Sequence, residues 1–144
     1  MKAALAPRQL RRRIEHGVNC RDIEDVIAGF ADDAILEVGG DSCAAGRFVG
    51  IAEVRRWYER WFTRMSALDY VIHEVAAVKP WEFVKDNTVF VSFSVHEISH
   101  DGVEARLEGV ATYEIRAGEI SRLRICMYDD TGDCLIWGHR SDAR

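Results

Sequence analysis

The stretch 88–129 alternates apolar and polar residues along three runs, and the turns Asp101-Gly102 and Ala117-Gly118 separate these runs. A period of two is typical of β-strands, and short glycine-containing turns between such runs predict an antiparallel meander of three strands. One face of this sheet is almost wholly apolar and the other is rich in charge, so a core or cavity lies on one side only. The apolar positions are Val89, Val91, Phe93, Val95, Val103, Ala105, Leu107, Gly109, Ala111, Tyr113, Ile115, Leu123, Ile125 and Met127.

The length of the chain limits the number of its domains, and its charge limits the class of its partners. Its 144 residues, 48% of them hydrophobic, suffice for one domain with a substantial core and are too few for two. We therefore expect a single domain over residues 1–144. The net charge of −5 argues against nucleic acid as a partner, because phosphate binding needs a basic face. The arginines at positions 8 and 11–13 are interpreted as the solvated face of a helix rather than a binding arm.

Nothing in the sequence indicates a membrane span or a cofactor. No apolar run approaches the roughly 18 to 20 residues needed to cross a bilayer, and residues 1–13 lack the apolar region of a secretory signal. We expect a cytoplasmic protein with no membrane partner. The four cysteines have no C-x-x-C spacing, so we expect reduced thiols and no metal. They are Cys20, Cys43, Cys126 and Cys134.

Outside the meander, the spacing of apolar residues predicts three helices and two further strands before it and a short cap after it. The predicted elements are a weak helix from Pro7 to His16 ended by Gly17, a second helix capped by Asp22 and broken at Asp32-Asp33, a strand from Ala34 to Val38, a loop from Gly39 to Gly46, a helix from about Ile51 to Arg64, a strand from Leu68 to Val78, a turn from Trp81 to Asn87, and a short cap from Cys134 to Trp137. This order predicts an α+β fold in which helices cover one face of a curved antiparallel sheet.

Three segments carry a resemblance to a known family. They are DIEDVIAGFADDAIL at 22–36, GRFVGIAEVRRWYERWF at 46–62 and LEGVATYEIRAGEISRLRICMYD at 107–129. From about Ile14 to Asp129 the chain resembles the SnoaL-like and ketosteroid-isomerase-like proteins of the nuclear transport factor 2-like superfamily. The resemblance implies a cone-shaped antiparallel sheet wrapped over N-terminal helices, a cystatin-like α+β barrel. It implies no single activity, because this scaffold carries isomerases, cyclases, dehydratases, epoxide hydrolases and binding proteins.

The catalytic residues of the ketosteroid isomerase have no counterpart in this chain. The positions that match the isomerase's general base, oxyanion-hole acid and tyrosine hold Val38, Ala111 and, approximately, Ile14. We therefore reject classical ketosteroid isomerisation, which needs a base and oxyanion donors. The carboxylates with which the related epoxide hydrolases activate water are missing as well. The inward positions concerned are Phe93, Val95 and Ile125.

The chain does keep residues that match the pocket wall of the isomerase. Trp57 and Tyr58 match the aromatic pair of the isomerase's third helix, and Leu123, Ile125 and Met127 match its apolar last strand. We expect a mainly apolar pocket for a small hydrophobic ligand, cyclic or aromatic. The full set of expected ligand-binding residues is Val38, Trp57, Phe93, Val95, Ala111, Tyr113, Leu123, Ile125 and Met127.

His73 is the leading candidate for catalysis. Strand parity groups it with Val71, Val75 and Ala77, and the resemblance directs that parity toward the pocket. An imidazole among apolar walls can act as an acid or base near neutrality. The alternative is a core histidine satisfied by one hydroxyl or carbonyl.

Two carboxyls and a tyrosine complete the catalytic candidates. Glu97 has inward parity near the end of its strand, so we expect it at the pocket mouth. Asp41 lies in the loop close to where the isomerase's base is missing, and a solvated role is the alternative for both acids. Tyr58 is expected to contribute a hydroxyl that an apolar wall leaves unpaired.

Three functional hypotheses remain open at this point. The first is a cyclase, isomerase or dehydratase that uses His73 with Tyr58 and a mouth carboxylate. The second is a non-catalytic binding protein, and the third is a dimerisation module whose interior Trp57 and Trp61 fill. The resemblance also implies a homodimer that forms through the outer face of the sheet, where charges of both signs predict a polar interface that includes Ser92, Ser94 or His96.

Overall fold

The structure is a computed structural model of the chain that describes residues 7–79 and 85–143. Its helices are α1 (Pro7–Asn19), α2 (Ile23–Ile27), α3 (Ile51–Arg64) and α4 (Thr131–Trp137), followed by a 3₁₀ turn (Arg140–Ala143). Its strands are β1 (Phe30–Val38), β2 (Gly46–Val49), β3 (Met65–Ala77), β4 (Asn87–Ser99), β5 (Glu104–Arg116) and β6 (Glu119–Met127). The predicted turn from Trp81 to Asn87 falls largely outside the described residues.

One curved sheet contains all six strands, in the order β2-β1-β6-β5-β4-β3. The predicted meander is confirmed, because β4 pairs antiparallel with β5 and β5 antiparallel with β6. β3 extends the sheet antiparallel to β4. One junction departs from antiparallel pairing, since β1 runs parallel to β6. The α+β class is confirmed, and β2 and β3 remain as edges of an unclosed sheet.

α3 crosses the inner face of the sheet and supplies much of the core. Its predicted bounds, Ile51 to Arg64, are confirmed. The stripe that it buries has the spacing of one helix face, and the opposite side is charged and faces solvent. The buried residues of this stripe are Val54, Trp57, Tyr58, Trp61 and Phe62.

Three predicted boundaries near the N-terminus are wrong. α1 continues through Gly17, where a Cβ atom would lie 2.8 Å from Val26 Cγ2, so this glycine permits close helix packing. The cap by Asp22 is confirmed, because its side chain accepts a hydrogen bond from the Asp25 amide. Asp32 and Asp33 do not precede a strand but lie within β1, where irregular pairing with β6 leaves both exposed. The predicted loop from Gly39 to Gly46 ends one residue early, since Gly46 begins the edge strand β2.

α4 closes the end of the sheet beside β5. A Cβ at Gly132 would lie 2.7 Å from Leu107 Cδ2, so the missing side chain lets the helix approach the strand closely. The Cys43 amide donates to the Gly138 carbonyl at 2.9 Å, which joins the end of α4 to the loop before β2. None of the helices in the described part of the chain has the length and apolar character needed to cross a membrane.

Candidate functional site

A small cavity lies between the inner face of the sheet and helices α1, α3 and α4. Its free volume is about 40 Å³, so a ligand larger than a few water molecules binds only if the aromatic side chains around the cavity move. Most of its wall is aliphatic or aromatic. The lining residues are Ile14, Val18, Val38, Ala44, Trp57, Tyr58, Trp61, Tyr70, Phe93, Val95, Glu97, Leu107, Ala111, Tyr113, Ile125, Met127, Asp133 and Trp137.

Three tryptophans form one wall of the cavity. The ring centroids of Trp57 and Trp61 lie 5.5 Å apart, and those of Trp57 and Trp137 lie 6.4 Å apart with nearly parallel planes. The Trp57 Nε1 atom donates to the Ala44 carbonyl at 3.0 Å, which fixes the orientation of the ring. These indoles occupy much of the interior and leave only the small space described above.

Glu97 points from β4 into this cavity and is almost fully buried, with 1% of its surface exposed. Its Oε2 atom accepts a hydrogen bond from Trp61 Nε1 at 2.8 Å. Its Oε1 atom is also buried and has no hydrogen-bond partner among the described residues. Burial raises the pKa of Glu97 to about 7; the Trp61 hydrogen bond opposes this rise, and the charge of Asp133 adds to it. Both protonation states of this carboxyl are therefore available near neutral pH.

Asp133 brings a second carboxyl to the same cavity. It lies in the first turn of α4 and is 5% exposed. Burial, with a smaller contribution from the charge of Asp130, raises its pKa to about 6. Burial therefore raises the pKa of both cavity acids toward neutrality.

Three tyrosines contribute hydroxyl groups to the cavity wall. Tyr58, Tyr70 and Tyr113 are each at least 93% buried, and all three line the cavity. Burial is the main cause that raises the pKa of each phenol, and the neighbouring tyrosines raise it further for Tyr70 and Tyr113. All three remain neutral donors at physiological pH.

The predicted position of His73 in the pocket is wrong. The register of β3 against β4 shifts between Ile72 and Glu74, and the extra residue at this bulge is His73. Ile72 points inward and His73 is exposed, with its Nε2 atom 2.8 Å from Ser94 Oγ on the outer face. Parity counted back from Val75 crosses the bulge and therefore assigns His73 to the wrong face.

Asp41 also lies away from the cavity. Its backbone amide donates to Asp130 Oδ2 at 2.6 Å and its side chain is exposed. Leu123 is fully buried but does not border the cavity. Glu97 has the predicted inward parity, though it is buried inside rather than placed at a mouth. The other predicted pocket residues all line the cavity, and they are Val38, Trp57, Tyr58, Phe93, Val95, Ala111, Tyr113, Ile125 and Met127.

Eight of the lining residues were not named as site residues from the sequence, and they are Ile14, Val18, Ala44, Trp61, Tyr70, Leu107, Asp133 and Trp137. Asp133 is followed by Ile136 and Trp137 at helical i+3 and i+4 spacing, which indicates one inward face of α4. Tyr70 lies two residues before the buried Ile72 and shares its inner face of the strand, ahead of the bulge. Trp61 is one helical turn from Trp57, and its proximity to Glu97 follows only from the packing of α3 on β4.

Comparisons with known proteins agree with this architecture. The family model described as SnoaL-like domain matches residues 10–123. Among curated proteins, none matches the sequence significantly. The fold is similar to that of an NTF2-like protein of unknown function from Burkholderia pseudomallei, with a TM-score of 0.74, 18% identity, and coverage of 90% of this chain and 96% of that one.

Two further similar structures contain small molecules. One is a Mycobacterium tuberculosis protein in complex with estradiol-17β-hemisuccinate, with a TM-score of 0.71, 21% identity, and coverage of 89% of this chain and 97% of that one. The other is TerC co-crystallised with polyporic acid, with a TM-score of 0.66, 21% identity, and coverage of 87% and 95%. At these identities the similarity shows the fold alone.

Proposed function

The chain belongs to the SnoaL-like domain family, of the nuclear transport factor 2-like superfamily, and from this premise we propose that it is a small-molecule enzyme of the isomerase, cyclase or lyase type. Its ligand is a small, mainly apolar, cyclic or aromatic molecule bound beneath α3. Glu97 exchanges a proton with this ligand. The observation that carries the proposal is the buried Oε1 atom of Glu97, which lacks a partner among the described residues and belongs to a carboxyl whose pKa is about 7.

The two cavity acids suit opposite roles in proton transfer. A general base and a general acid work best when their pKa values lie near the working pH. Asp133, whose pKa is about 6, is ionised at neutrality, whereas Glu97 is divided between its two states. Environments that separate the pKa values of two carboxyls in this way are typical of acid–base sites.

The tyrosine hydroxyls support a ligand that carries an oxygen atom. Tyr58, Tyr70 and Tyr113 present phenols that stay protonated, so they can donate hydrogen bonds to a carbonyl or enolate oxygen. Removal of a proton next to a carbonyl places negative charge on that oxygen. We therefore assign the reaction class to proton transfer at a carbon adjacent to a carbonyl group.

Deuterium exchange into a cyclic ketone tests this proposal. Wild-type protein in D₂O at pD 7.5 should accelerate exchange at the α-carbon of 2-tetralone, observed by proton NMR. Glu97→Gln should reduce the accelerated rate by about 100-fold or more, the usual effect of removing an acid–base group. His73→Ala, on the outer face, serves as the matched control and should leave the rate unchanged. A Glu97→Gln variant as active as the wild type would overturn the proposal.

Non-catalytic binding is the second candidate, whereas the small volume of the cavity favours a third, the dimerisation module with a filled interior. Three tryptophans leave about 40 Å³ free, which fits a packed aromatic interior better than an open active site. A panel of aromatic and terpenoid compounds should raise the melting temperature if any of them binds the native state. Under this alternative Trp57→Ala abolishes the rise and Glu97→Gln preserves it, while a panel without effect favours the filled dimerisation module.

A homodimer and a cytoplasmic location complete the proposal. The outer face of the sheet carries charges of both signs, which suit a polar, salt-sensitive contact between two copies of the chain. His96 on this face already pairs with Glu104, their atoms Nε2 and Oε1 lying 2.5 Å apart. Sedimentation at low salt and tens of micromolar protein should show a dimer, and a monomer there would contradict it.

A further inference from the structure

Glu97 and Asp133 place two buried carboxyls in one cavity without a positive side chain to pair with them. Their exposed fractions are 1% and 5%, and neither belongs to any ion pair among residues 7–79 and 85–143. Taking carboxylates out of water is costly unless an opposite charge or hydrogen bonds compensate. Trp61 supplies one hydrogen bond to Glu97, and the second oxygen of that carboxyl receives none from the described residues.

The wall beside these acids is suited to positive charge. Trp57, Trp61 and Trp137 line the same cavity, and the faces of indole rings attract cations. Trp137 already shows this behaviour on the protein's own side chains, because the Arg64 guanidinium carbon lies 4.7 Å from its ring centroid. Arg60 lies 5.9 Å from the same centroid. Both arginine side chains are exposed, so their charge does not enter the cavity.

We propose that the ligand of this cavity is an organic cation, an alkylammonium group held between the carboxyls of Glu97 and Asp133 and the three tryptophan rings. This inference rests on the proposed function and narrows its ligand to one chemical class. The positive group offsets the charge of the two acids and contacts the indole faces through its N-methyl or N-methylene groups.

The residues around the acids favour an organic cation over a metal ion. Calcium takes six to eight oxygen ligands, and magnesium takes six in strict octahedral geometry. The described residues contain no group of three or more histidine, cysteine, aspartate or glutamate side chains placed to hold a metal. Most of the cavity wall is aliphatic or aromatic carbon, which suits a methylated nitrogen.

A bound cation also suits the role proposed for Glu97. A nearby positive charge favours the ionised form of a carboxyl, so an alkylammonium ligand converts Glu97 into the carboxylate that removes a proton. A neutral ligand leaves this group divided between acid and carboxylate at neutral pH. Ligand charge therefore sets the protonation state of the base in the complex.

Two probes of nearly equal shape test the inference. Tetramethylammonium chloride and tert-butyl alcohol are titrated into the wild-type protein at constant ionic strength and pH 7.5, with tryptophan fluorescence as the readout. Tetramethylammonium should give a saturable change with an apparent Kd at least tenfold lower than that of the alcohol. Equal responses to the two probes, or no saturable response to tetramethylammonium, would overturn the inference.

Isosteric variants show whether the acids are responsible. Glu97→Gln and Asp133→Asn each remove a charge without changing side-chain volume, and each should weaken tetramethylammonium binding at least tenfold. Glu108→Gln removes the same charge from an exposed position of β5 and should leave binding unchanged. Wild-type affinity in both cavity variants, with native circular dichroism, would contradict the inference.

The outcomes separate this inference from the proposed function. If neutral cyclic compounds bind and exchange with deuterium while tetramethylammonium does not bind, the cation inference fails and the proposed function stands. If tetramethylammonium binds in a Glu97-dependent manner and exchange of 2-tetralone does not depend on Glu97, the proposed function fails and the cation site stands.

Discussion

Glu37 and Glu97 occupy opposite faces of the same sheet, and the pKa values of their carboxyls shift in opposite directions. On the outer face, Glu37 accepts hydrogen bonds from Arg122 and lies 3.7 Å from Arg124 Nε. Hydrogen bonding to Arg122 lowers the pKa of Glu37. On the inner face, Glu97 has one indole donor, no cation among the described residues, and a pKa raised to about 7.

This contrast distinguishes a structural carboxyl from a candidate functional one. The charge and hydrogen-bonding capacity of the Glu37 carboxylate are satisfied by arginines of the protein itself, so a ligand has little to add there. Glu97 retains an unused acceptor inside an apolar cavity, and natural proteins rarely bury such an atom without a reason. A chain that can pair carboxylates on its outer face but leaves one unpaired on its inner face points to a ligand at the inner one.

The largest effect is expected from truncation of the aromatic wall. Trp61→Ala removes a buried indole and the donor to Glu97, so we expect the free energy of unfolding to fall by about 3–5 kcal/mol. Phe90→Ala is the matched control on the outer face of β4, where the ring is 43% exposed, and it should cost less than about 1 kcal/mol. Urea unfolding measures both, and similar losses would show that the two faces do not differ as described.

Glu97→Gln should change how stability depends on pH. The pKa of Glu97 is higher in the folded protein than its ordinary value of 4.5, so its contribution to stability is fully present below pH 4.5 and is lost as pH rises through about 7. Glu97→Gln lacks this loss. Relative to wild type, its free energy of unfolding should therefore rise by about 3 kcal/mol between pH 4.5 and 8.5, at about 1.4 kcal/mol per pKa unit. If the unfolding free energies of the two proteins run parallel with pH, the result would count against a raised pKa of Glu97. Asp133 is the other acid that faces the same cavity.

Glu37→Gln should act in the opposite direction and more weakly. The pKa of Glu37 is lowered, so its contribution is present above its ordinary pKa and is lost as pH falls through the folded value. We expect the variant to lose about 0.2–1 kcal/mol at pH 7, the usual value of a partly exposed ion pair. This loss should shrink in 1 M salt because exposed charges are screened; a loss that ignores salt would indicate packing instead.

His73→Ala is expected to have the smallest effect. The side chain is exposed and contacts Ser94 on the outer face, and surface substitutions usually change stability by less than about 0.5 kcal/mol. Ligand affinity and deuterium exchange should match those of the wild type. A large loss of either would return His73 to the site and place a functional surface on the outer face.

Much of the fold could be predicted from the sequence because its signals are local. The alternation in β4 to β6 and the aromatic stripe of α3 are periodic over many residues, and both elements formed where predicted. The inward parity of Glu97 follows from Val95 by the same alternation. The edge strand β2 was missed because it has only four residues and none of them is buried.

The candidate site was less predictable because it depends on interruptions and on distant contacts. A single bulge at His73 reversed the parity of the second half of β3, and no residue type at this position indicates a bulge. Asp133 lies 36 residues after Glu97 in a short helix that follows a polar loop. Its place in the cavity depends on the close approach of Gly132 to β5, which local patterns do not encode.

Titration of the Glu97 carboxyl tests the central claim most directly. Carbon-13 NMR of protein labelled at the glutamate side-chain carboxyls, recorded from pH 3 to 9, follows each group, and comparison with Glu97→Gln assigns the resonance. The account predicts a midpoint near 7 for Glu97 and one below the usual value for Glu37. A midpoint for Glu97 near its ordinary value of 4.5 would contradict a buried, unpaired proton-transfer group in this cavity.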